Sequence, residues 1–295
     1  MKNTFPPWIK WKAPDPTILQ RIKGIMEDLE LHTICESARC PNTGQCFSQK
    51  TATFLILGDV CSRMCTFCAV KKGVPQPVNE KEPLSIVEAV RRLALHYVVI
   101  TSVTRDDLAD GGASQFAKII DLLHKQRSDT VVEVLVPDFL GSFGALKAVV
   151  AAVPQVVNHN IETVPRLYAG VRPKASYERS LVLLSNVKRI DPSILTKSGL
   201  MVGLGERKNE VIEVMRGLKR ANCDLLTIGQ YLRPSPNHHE VLAFVTPEEF
   251  SQYENVALEM GFRGVASGPL VRSSFKAEEL YLKAKSEQQA LILGE

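Results

Sequence analysis

Residues 53–68 read Thr53-Phe-Leu-Ile-Leu-Gly-Asp-Val-Cys61-Ser-Arg-Met-Cys65-Thr-Phe-Cys68, an apolar run followed by three closely spaced cysteines. The run over residues 53–57 predicts a buried strand that ends at the Gly-Asp pair. Thiolates so close together repel one another unless a cation neutralises them, and soft sulfur ligands suit zinc or an iron–sulfur cluster. Structural zinc needs four protein ligands, and no fourth cysteine or histidine stands nearby. The loop therefore favours a four-iron cluster with one iron open to a small molecule.

A second cysteine triplet lies upstream, at Cys35, Cys40 and Cys46, so six of the seven cysteines fall within residues 35–68. Cysteines this sparse overall and this clustered indicate metal-binding thiolates in a reduced compartment rather than a disulfide scaffold. On spacing alone, zinc or a disulfide remains an alternative to a second cluster. The segment contains Pro41 and Gly44 and predicts a loop rather than a helix. The seventh cysteine, Cys223, is predicted to be a small core residue.

From residue 51 onward, short apolar runs alternate with amphipathic stretches. The predicted strands cover residues 53–57, 96–101, 131–136, 156–158, 199–204 and 223–228, with a short last strand at 264–266. The predicted helices cover residues 84–95, 114–125, 142–152, 209–220 and 247–260, and a capped helix over 16–29 precedes the cysteines. Alternating strands and helices predict an α/β fold with a parallel sheet. Six units fall short of a closed eight-unit barrel, so the sequence predicts a partial (β/α)6 TIM-like barrel.

In such barrels the chemistry gathers at the carboxyl ends of the strands, where the second cysteine triplet also falls. Polar side chains follow the other predicted strands and are candidates to hold a polar small molecule. Capping and turn formation explain the same residue types equally well. The candidates are Asp106, Asp107, Asn158, Asn160, Glu162 and Glu206.

Composition narrows the class of protein. The chain has 295 residues, 45% of them apolar and 23% charged, which is typical of a globular protein with one large domain or two small ones. Its net charge of +4 is too small for a nucleic-acid footprint. The N-terminus has neither a signal segment nor a transit peptide, and no apolar run is long enough to cross a membrane. We therefore expect a cytoplasmic protein.

The Cys61–Cys65–Cys68 loop, with Phe67 before its last cysteine, resembles the radical S-adenosylmethionine superfamily. Together with the upstream triplet it resembles the lipoyl synthase family, which also carries an Arg-Ser-Ser-Tyr motif near its C-terminus. This chain has Arg272-Ser273-Ser274-Phe275 in that region, so the aromatic ring is kept and the tyrosine hydroxyl is lost. The resemblance covers nearly the whole chain.

The resemblance implies two four-iron, four-sulfur clusters and S-adenosylmethionine as cofactors. Cys61, Cys65 and Cys68 would hold the radical cluster, and Cys35, Cys40, Cys46 and Ser274 an auxiliary cluster that is consumed as sulfur donor. Ser273 is the competing serine, and the family motif favours Ser274. The reaction would insert sulfur at C6 and C8 of an octanoyl chain on a lysine of a carrier domain.

The implied partners are octanoylated lipoyl carrier domains, namely 2-oxoacid dehydrogenase E2 subunits and the glycine cleavage H protein, and an electron donor. We expect three parts: residues 1–52 with the first triplet, a barrel over 53–270, and a C-terminal segment over 271–295. Arg172, Lys174 and Lys197 are expected to be solvated charges, with an acidic carrier protein as the alternative role.

Two other classes of protein are compatible with part of the pattern. One is another sulfur-inserting radical enzyme, of the biotin synthase or methylthiotransferase type, although the first triplet together with Arg272-Ser273-Ser274 speaks against it. The other is a protein without catalysis, either a ferredoxin-like electron carrier or a zinc-stabilised scaffold. Iron and sulfide content separates the second class from the first.

Overall fold

The apolar runs of the sequence form strands, and the amphipathic stretches form helices around them. The computed structural model describes residues 5–10, 15–43, 46, 53–126 and 129–293. The strands are β1 (His32–Thr33), β2 (Thr53–Ile56), β3 (Val60–Cys61), β4 (Lys71–Lys72), β5 (Tyr97–Ser102), β6 (Val131–Leu135), β7 (Val156–Asn158), β8 (Leu195–Val202), β9 (Leu225–Gln230) and β10 (Gly264–Gly268).

The α-helices alternate with these strands. They are α1 (Pro16–Asp28), α2 (Ile34–Ser37), α3 (Glu82–Leu93), α4 (Ala113–Gln126), α5 (Phe143–Ala151), α6 (Tyr168–Val171), α7 (Tyr177–Ile190), α8 (Lys208–Arg220), α9 (Pro247–Glu259) and α10 (Ala277–Leu293). Short 3₁₀ turns cover Phe139–Gly141 and Pro165–Leu167. No described helix has the length and apolar character needed to cross a membrane.

One eight-stranded sheet organises the chain, in the order β1-β2-β5-β6-β7-β8-β9-β10. From β2 to β10 every neighbouring pair is parallel, and only β1 runs antiparallel, on β2. Within the described residues β1 and β10 are the unpaired edges, so the barrel is open. The prediction of a partial α/β barrel is confirmed, and the loop after β2 lies at the carboxyl end of the sheet.

The core lies mainly between the sheet and its helices. Phe54, Ile100 and Val134 face outward from their strands and belong to one large apolar cluster with the helices. On β5 the alternate residues Tyr97 and Val99 belong to a separate, smaller cluster, in which they pack with α10. This alternation is the period of two expected for strands. The side chains that point into the barrel are therefore free to be polar behind the cysteine loop.

Four elements that differ from the sequence prediction are β8, α2, α7 and α10. Strand β8 begins at Leu195, four residues earlier than predicted, because Lys197 is fully buried beside Glu133 rather than solvated. Helices α7 and α10 were not predicted at all. Cys35 lies in the four-residue helix α2, so the prediction that this segment holds no helix is wrong at that residue.

Candidate metal and cofactor site

The cysteine loop after β2 begins at a turn held by two buried side chains. Leu57 has a φ of 66°, in the left-handed region, and Gly58 follows with a φ of 89°. The Leu57 amide donates to the Glu82 carboxylate at 3.0 Å, and its carbonyl accepts from the Arg105 guanidinium at 3.2 Å. Because both backbone groups of Leu57 are engaged, the direction in which the chain enters the loop is fixed.

Arg63, in the middle of the loop, ties it to two further strand ends. Its guanidinium donates to Asp106, after β5, at 2.8 and 2.9 Å and to Asp138, after β6, at 2.5 Å. Arg179 of α7 also donates to Asp138, at 2.9 Å. Burial alone would raise the pKa of Asp138, but the hydrogen bond and charge of Arg63 lower it to about 2. The network keeps these buried charges paired, which is the condition for their stability.

The thiols of Cys61, Cys65 and Cys68 lie close enough to affect one another. Burial, reinforced by the two other thiols, raises the pKa of Cys68 to about 12. Burial also raises the pKa of Cys65, while Arg172 acts in the opposite direction. The Arg63 amide donates to the Cys61 sulfur at 3.5 Å. Thiols in this environment ionise only beside a cation, which is the condition that a bound metal centre creates.

The first triplet forms a second group of interacting thiols. Burial, and after it the neighbouring Cys40, raises the pKa of Cys35 to about 12 and that of Cys46 to about 11. The Cys40 amide donates to the Cys35 carbonyl at 2.9 Å, and the Thr43 hydroxyl donates to the Cys40 carbonyl at 2.8 Å. All seven cysteines lie in the described part of the chain and are free thiols, so the disulfide alternative is not realised.

The two serines of the Arg272-Ser273-Ser274 turn differ in their hydrogen bonds. The Ser273 hydroxyl accepts a hydrogen bond from the Asn160 amide at 3.3 Å. The Ser274 hydroxyl lines the cavity and hydrogen-bonds to no other described residue. The turn is seated on β9 at Gly229, where a Cβ would come within 2.0 Å of the Val271 carbonyl oxygen. Ser274 is therefore the serine with an uncommitted oxygen.

A single cavity joins the two cysteine groups and the serine turn. Its volume is about 540 Å³, within the range of small-molecule sites, about 300–1,000 Å³. Cys35 and Cys40 of the first triplet and Cys68 of the second line this cavity. The serine turn, although distant in the sequence, lines the same cavity. The remaining walls come from the barrel interior, including Leu135, Asn160, Glu162, Gly199 and Met201.

Charged side chains link the two thiol groups through the cavity wall. Burial raises the pKa of Glu162, and Arg172, the Asn160 hydrogen bond and Arg272 oppose that effect. Arg172 also opposes the rise in the pKa of Cys65. Burial lowers the pKa of Arg272, and the neighbouring Cys40 opposes that effect. Among the described residues Arg272 has no ion pair, and its guanidinium donates only to the Val271 carbonyl, at 2.6 Å.

Only two of the six strand-end candidates reach this cavity, namely Asn160 and Glu162. Asp106 is bound by Arg63, and Asp107 by Arg105 at 2.8 Å. Asn158 donates to the buried Glu133 carboxylate at 3.1 Å. Glu206 accepts from the Gly203 and Leu204 amides, at 2.5 and 2.9 Å, as turn chemistry would require.

The three residues expected to be solvated charges, Arg172, Lys174 and Lys197, differ in their exposure. Lys197 is fully buried against Glu133 at 2.9 Å, so it is not a solvated charge. Arg172 is half-buried and donates to the Asn160 carbonyl at 3.0 Å. Lys174 is exposed. Arg63 and Asn42 were missed because their partners lie 43 to 228 residues away in the sequence, although both residues stand between cysteines.

The thiols of each group fit a four-iron cluster, in which each thiolate binds a different iron. Among the described residues no three or more histidine, cysteine, aspartate or glutamate side chains are grouped to hold one metal ion. The unpaired Arg272 cation beside Cys40 also fits an anionic cluster, which would compensate its charge.

Comparisons with known proteins identify the family of the chain. The family model described as "Radical SAM superfamily" matches residues 55–218, and that described as "N-terminal domain of lipoyl synthase of Radical_SAM family" matches residues 1–40. Among solved structures, methylornithine synthase is similar with a TM-score of 0.54 and 14% identity, over 79% of this chain and 68% of that one. The hydrogenase maturase HydG has a TM-score of 0.57 and 13% identity, over 92% and 67% of the two chains. These two structures support the fold alone.

Fold and family model together define a radical S-adenosylmethionine enzyme. Curated relatives narrow the family further. The lipoyl synthase of Caldanaerobacter subterraneus subsp. tengcongensis is 58% identical, covering 92% of this chain and 95% of the relative. That of Caldicellulosiruptor saccharolyticus is 53% identical, covering 95% and 98%. The chain belongs to the lipoyl synthase family.

Proposed function

We propose that the protein inserts two sulfur atoms, at C6 and C8, into an octanoyl chain carried on a lysine of a lipoyl carrier domain. The observation that carries the proposal is the single cavity onto which Cys68, Ser274 and two members of the first triplet, Cys35 and Cys40, all open. A carbon chain in that space lies between the two thiol groups. Radical formation and sulfur delivery require such a shared cavity, because the carbon radical must react with the sulfur before it reacts with any other group.

The residues divide into two ligand sets. Cys61, Cys65 and Cys68 hold the radical cluster, and family membership implies this cluster together with S-adenosylmethionine. When bound, that cluster supplies the electron that cleaves S-adenosylmethionine to methionine and a 5′-deoxyadenosyl radical, which removes one hydrogen atom from the chain. Cleavage of two molecules provides for both positions. Asn160 and Glu162 present the cavity's hydrogen-bonding groups to the polar parts of S-adenosylmethionine.

The second set binds an auxiliary cluster, which is the sulfur substrate of the reaction. Cys35, Cys40 and Cys46 provide three thiolates, and the uncommitted Ser274 hydroxyl provides the fourth ligand. A serine oxygen is a harder and less well matched ligand for iron than a thiolate. The iron held by Ser274 is therefore the one released most readily, which exposes a sulfide toward the cavity.

The cavity wall suits the acyl part of the substrate. Leu135, Leu200, Met201 and Phe67 line it with apolar groups that replace water around a hydrocarbon chain. The carriers are the E2 subunits of 2-oxoacid dehydrogenases and the H protein of glycine cleavage, and a separate donor supplies electrons. We place the reaction in the cytoplasm, as the reduced thiols require.

One experiment tests the whole proposal. The anaerobically reconstituted protein is incubated with an octanoyl-lysine peptide, S-adenosylmethionine and a strong reductant, and the peptide is analysed by mass spectrometry. We expect two added sulfur atoms, two 5′-deoxyadenosines per product, and about eight irons and eight sulfides per chain before reaction. A protein that binds only zinc and leaves S-adenosylmethionine intact would refute it.

A further inference from the structure

Asn42 connects the first cysteine segment to the serine turn. It lies between Cys40 and Cys46 and is 2% exposed. Its Nδ2 donates to the Leu270 carbonyl oxygen at 2.6 Å, across 228 residues of sequence. Leu270 precedes Ser274 by four residues, so this hydrogen bond ends close to the serine itself.

No other hydrogen bond joins these two segments directly in the described chain, taking residues 31–43 and 46 as one segment and 268–276 as the other. The turn is also held by the barrel: Asn160 donates to Ser273, and Gly229 allows the close approach of Val271. Among the described residues the hydrogen bond of Asn42 is thus the one that ties the cysteine segment to the turn.

We infer that Asn42 is the positioning residue that brings the serine turn to the first cysteine triplet and so completes the four-ligand auxiliary site. The inference rests on the proposed function, because it concerns the same cluster. Asn42 touches no reacting atom. It acts through the backbone of the turn, and without it three thiolates would remain but the serine oxygen would not be held at the fourth iron.

The chemistry of the bond dictates the residue type. A carbonyl oxygen only accepts hydrogen bonds, so the partner must be a donor of the length and shape of asparagine. Aspartate has the same shape but, when ionised, only accepts, so Asn42→Asp places two acceptors against each other. Asn42→Ala removes the donor without adding a charge and separates the loss of the bond from the effect of a new anion near the cluster.

The test isolates the auxiliary cluster. In a background with Cys61, Cys65 and Cys68 all changed to alanine, the protein is reconstituted anaerobically with iron and sulfide. Mössbauer spectra and hydrogen–deuterium exchange of residues 268–276 are then compared for four added changes: Asn42→Asp, Asn42→Ala, Ser274→Ala and Asn79→Asp. The last is the matched control, because exposed Asn79 accepts from the Lys81 amide at 2.9 Å and aspartate can do the same.

Both Asn42 variants are expected to give the spectrum of Ser274→Ala, with one iron that has lost its protein ligand, while Asn79→Asp keeps the parent spectrum. Exchange of residues 268–276 should become roughly ten- to a hundredfold faster in the Asn42 variants, since a buried hydrogen bond is lost. It should stay unchanged in Ser274→Ala, which loses the ligand but keeps the bond. A general loss of stability would not produce this split.

The outcomes separate the two proposals. A parent protein that binds no four-iron cluster overturns the proposed function and this inference with it. A parent that binds the cluster, with Asn42 variants that match the parent in spectrum and exchange, overturns the inference alone. If Asn42→Asp does not fold, Asn42→Ala decides between the same results.

Discussion

The two cysteine regions differ in how much of each site one stretch of chain supplies. The Cys61–Cys68 loop carries all three of its proposed ligands within eight residues, and Arg63 anchors it through charge-assisted hydrogen bonds to Asp106 and Asp138. The auxiliary region draws its proposed ligands from two segments, and among the described residues the direct hydrogen bond between these segments is a neutral one. Charge-assisted bonds are roughly twice as strong as neutral ones.

The difference matches the two tasks proposed for the regions. A centre that acts repeatedly benefits from a rigid loop held at several strand ends. A centre that gives up its sulfur must release iron and accept a new cluster, and a lightly attached fourth ligand permits both. The predictions below test this contrast, beginning with the change that should have the largest effect.

Cys65→Ala should abolish cleavage of S-adenosylmethionine and leave the auxiliary region intact. We expect the iron content to fall from about eight to about four per chain, because only one of two four-iron clusters is lost. 5′-Deoxyadenosine release, measured by chromatography, should reach the no-enzyme background. Loss of all iron would show that the two regions are not independent.

Ser274→Ala should give the opposite pattern. Cleavage should persist, while the yield of doubly sulfurated product falls by more than about tenfold, since even outer partners of metal ligands are worth about 10–100-fold. Mass spectrometry of the octanoyl-lysine peptide provides the measurement. Ser273→Ala is the matched control: its hydroxyl already accepts from Asn160, and we expect product to continue to form. Wild-type yield from Ser274→Ala would remove Ser274 from the ligand set.

Arg63→Met should lower the free energy of unfolding by about 3–5 kcal/mol, because it leaves the Asp138 carboxylate, 1% exposed, without its main partner. Arg91→Met is the control, since Arg91 pairs with Glu88 on the surface and such pairs are worth about 0–1 kcal/mol. Urea unfolding of both variants measures the contrast. Equal effects would mean that the network does not hold the loop.

The same network should make the free energy of unfolding depend on pH in the acid range. The folded pKa of Asp138, about 2, lies below the unfolded value of about 3.9. Its contribution is therefore complete above about pH 4 and is lost as the pH falls through about 2. In the Arg63→Met variant much of this part of the acid dependence should disappear, and an unchanged profile would assign it to other carboxylates.

Gly229→Ala should have the smallest effect on stability, about 1–3 kcal/mol, because the added methyl group displaces the Val271 carbonyl. The displacement should affect the serine turn and leave the Arg63-anchored loop unchanged. Gly24→Ala is the control, since a Cβ there meets no atom within 4 Å and alanine favours helix α1. Thermal unfolding and the Mössbauer spectrum together measure the result; an unaltered auxiliary spectrum would contradict it.

The sequence predicted what is encoded locally. The cysteine spacings, the strands β2, β5, β6 and β7 and most helices follow from short-range patterns, and the fold class followed from their alternation. Lys197 shows where this fails: its charge suggested a surface position, yet Glu133 from β6 pairs with it and Tyr97 donates to the same carboxylate at 2.6 Å. The pairing of Lys197 with Glu133 can be recognised only in the folded structure, which brings their strands close together. The start of β8 was misplaced for the same reason.

The candidate site shows the same limit. Asp106 and Asn160 looked alike as polar residues after strands, and only the fold distinguishes the one bound to Arg63 from the one that lines the cavity. Helix α10 was missed, although it closes the barrel end where Tyr281 packs on Tyr97 at 5.8 Å. No pattern within a short window reveals which distant residue will occupy the space next to a given side chain.

The long span of the Asn42–Leu270 bond has a consequence for biosynthesis. Arg63 can meet Asp138 once 75 further residues have been translated, whereas Asn42 must wait for 228. A nascent chain on the ribosome therefore acquires the means to shape its Cys61–Cys68 loop long before it can bring Ser274 to the first triplet. Iron delivered during translation would find one site ready and the other still missing its last segment.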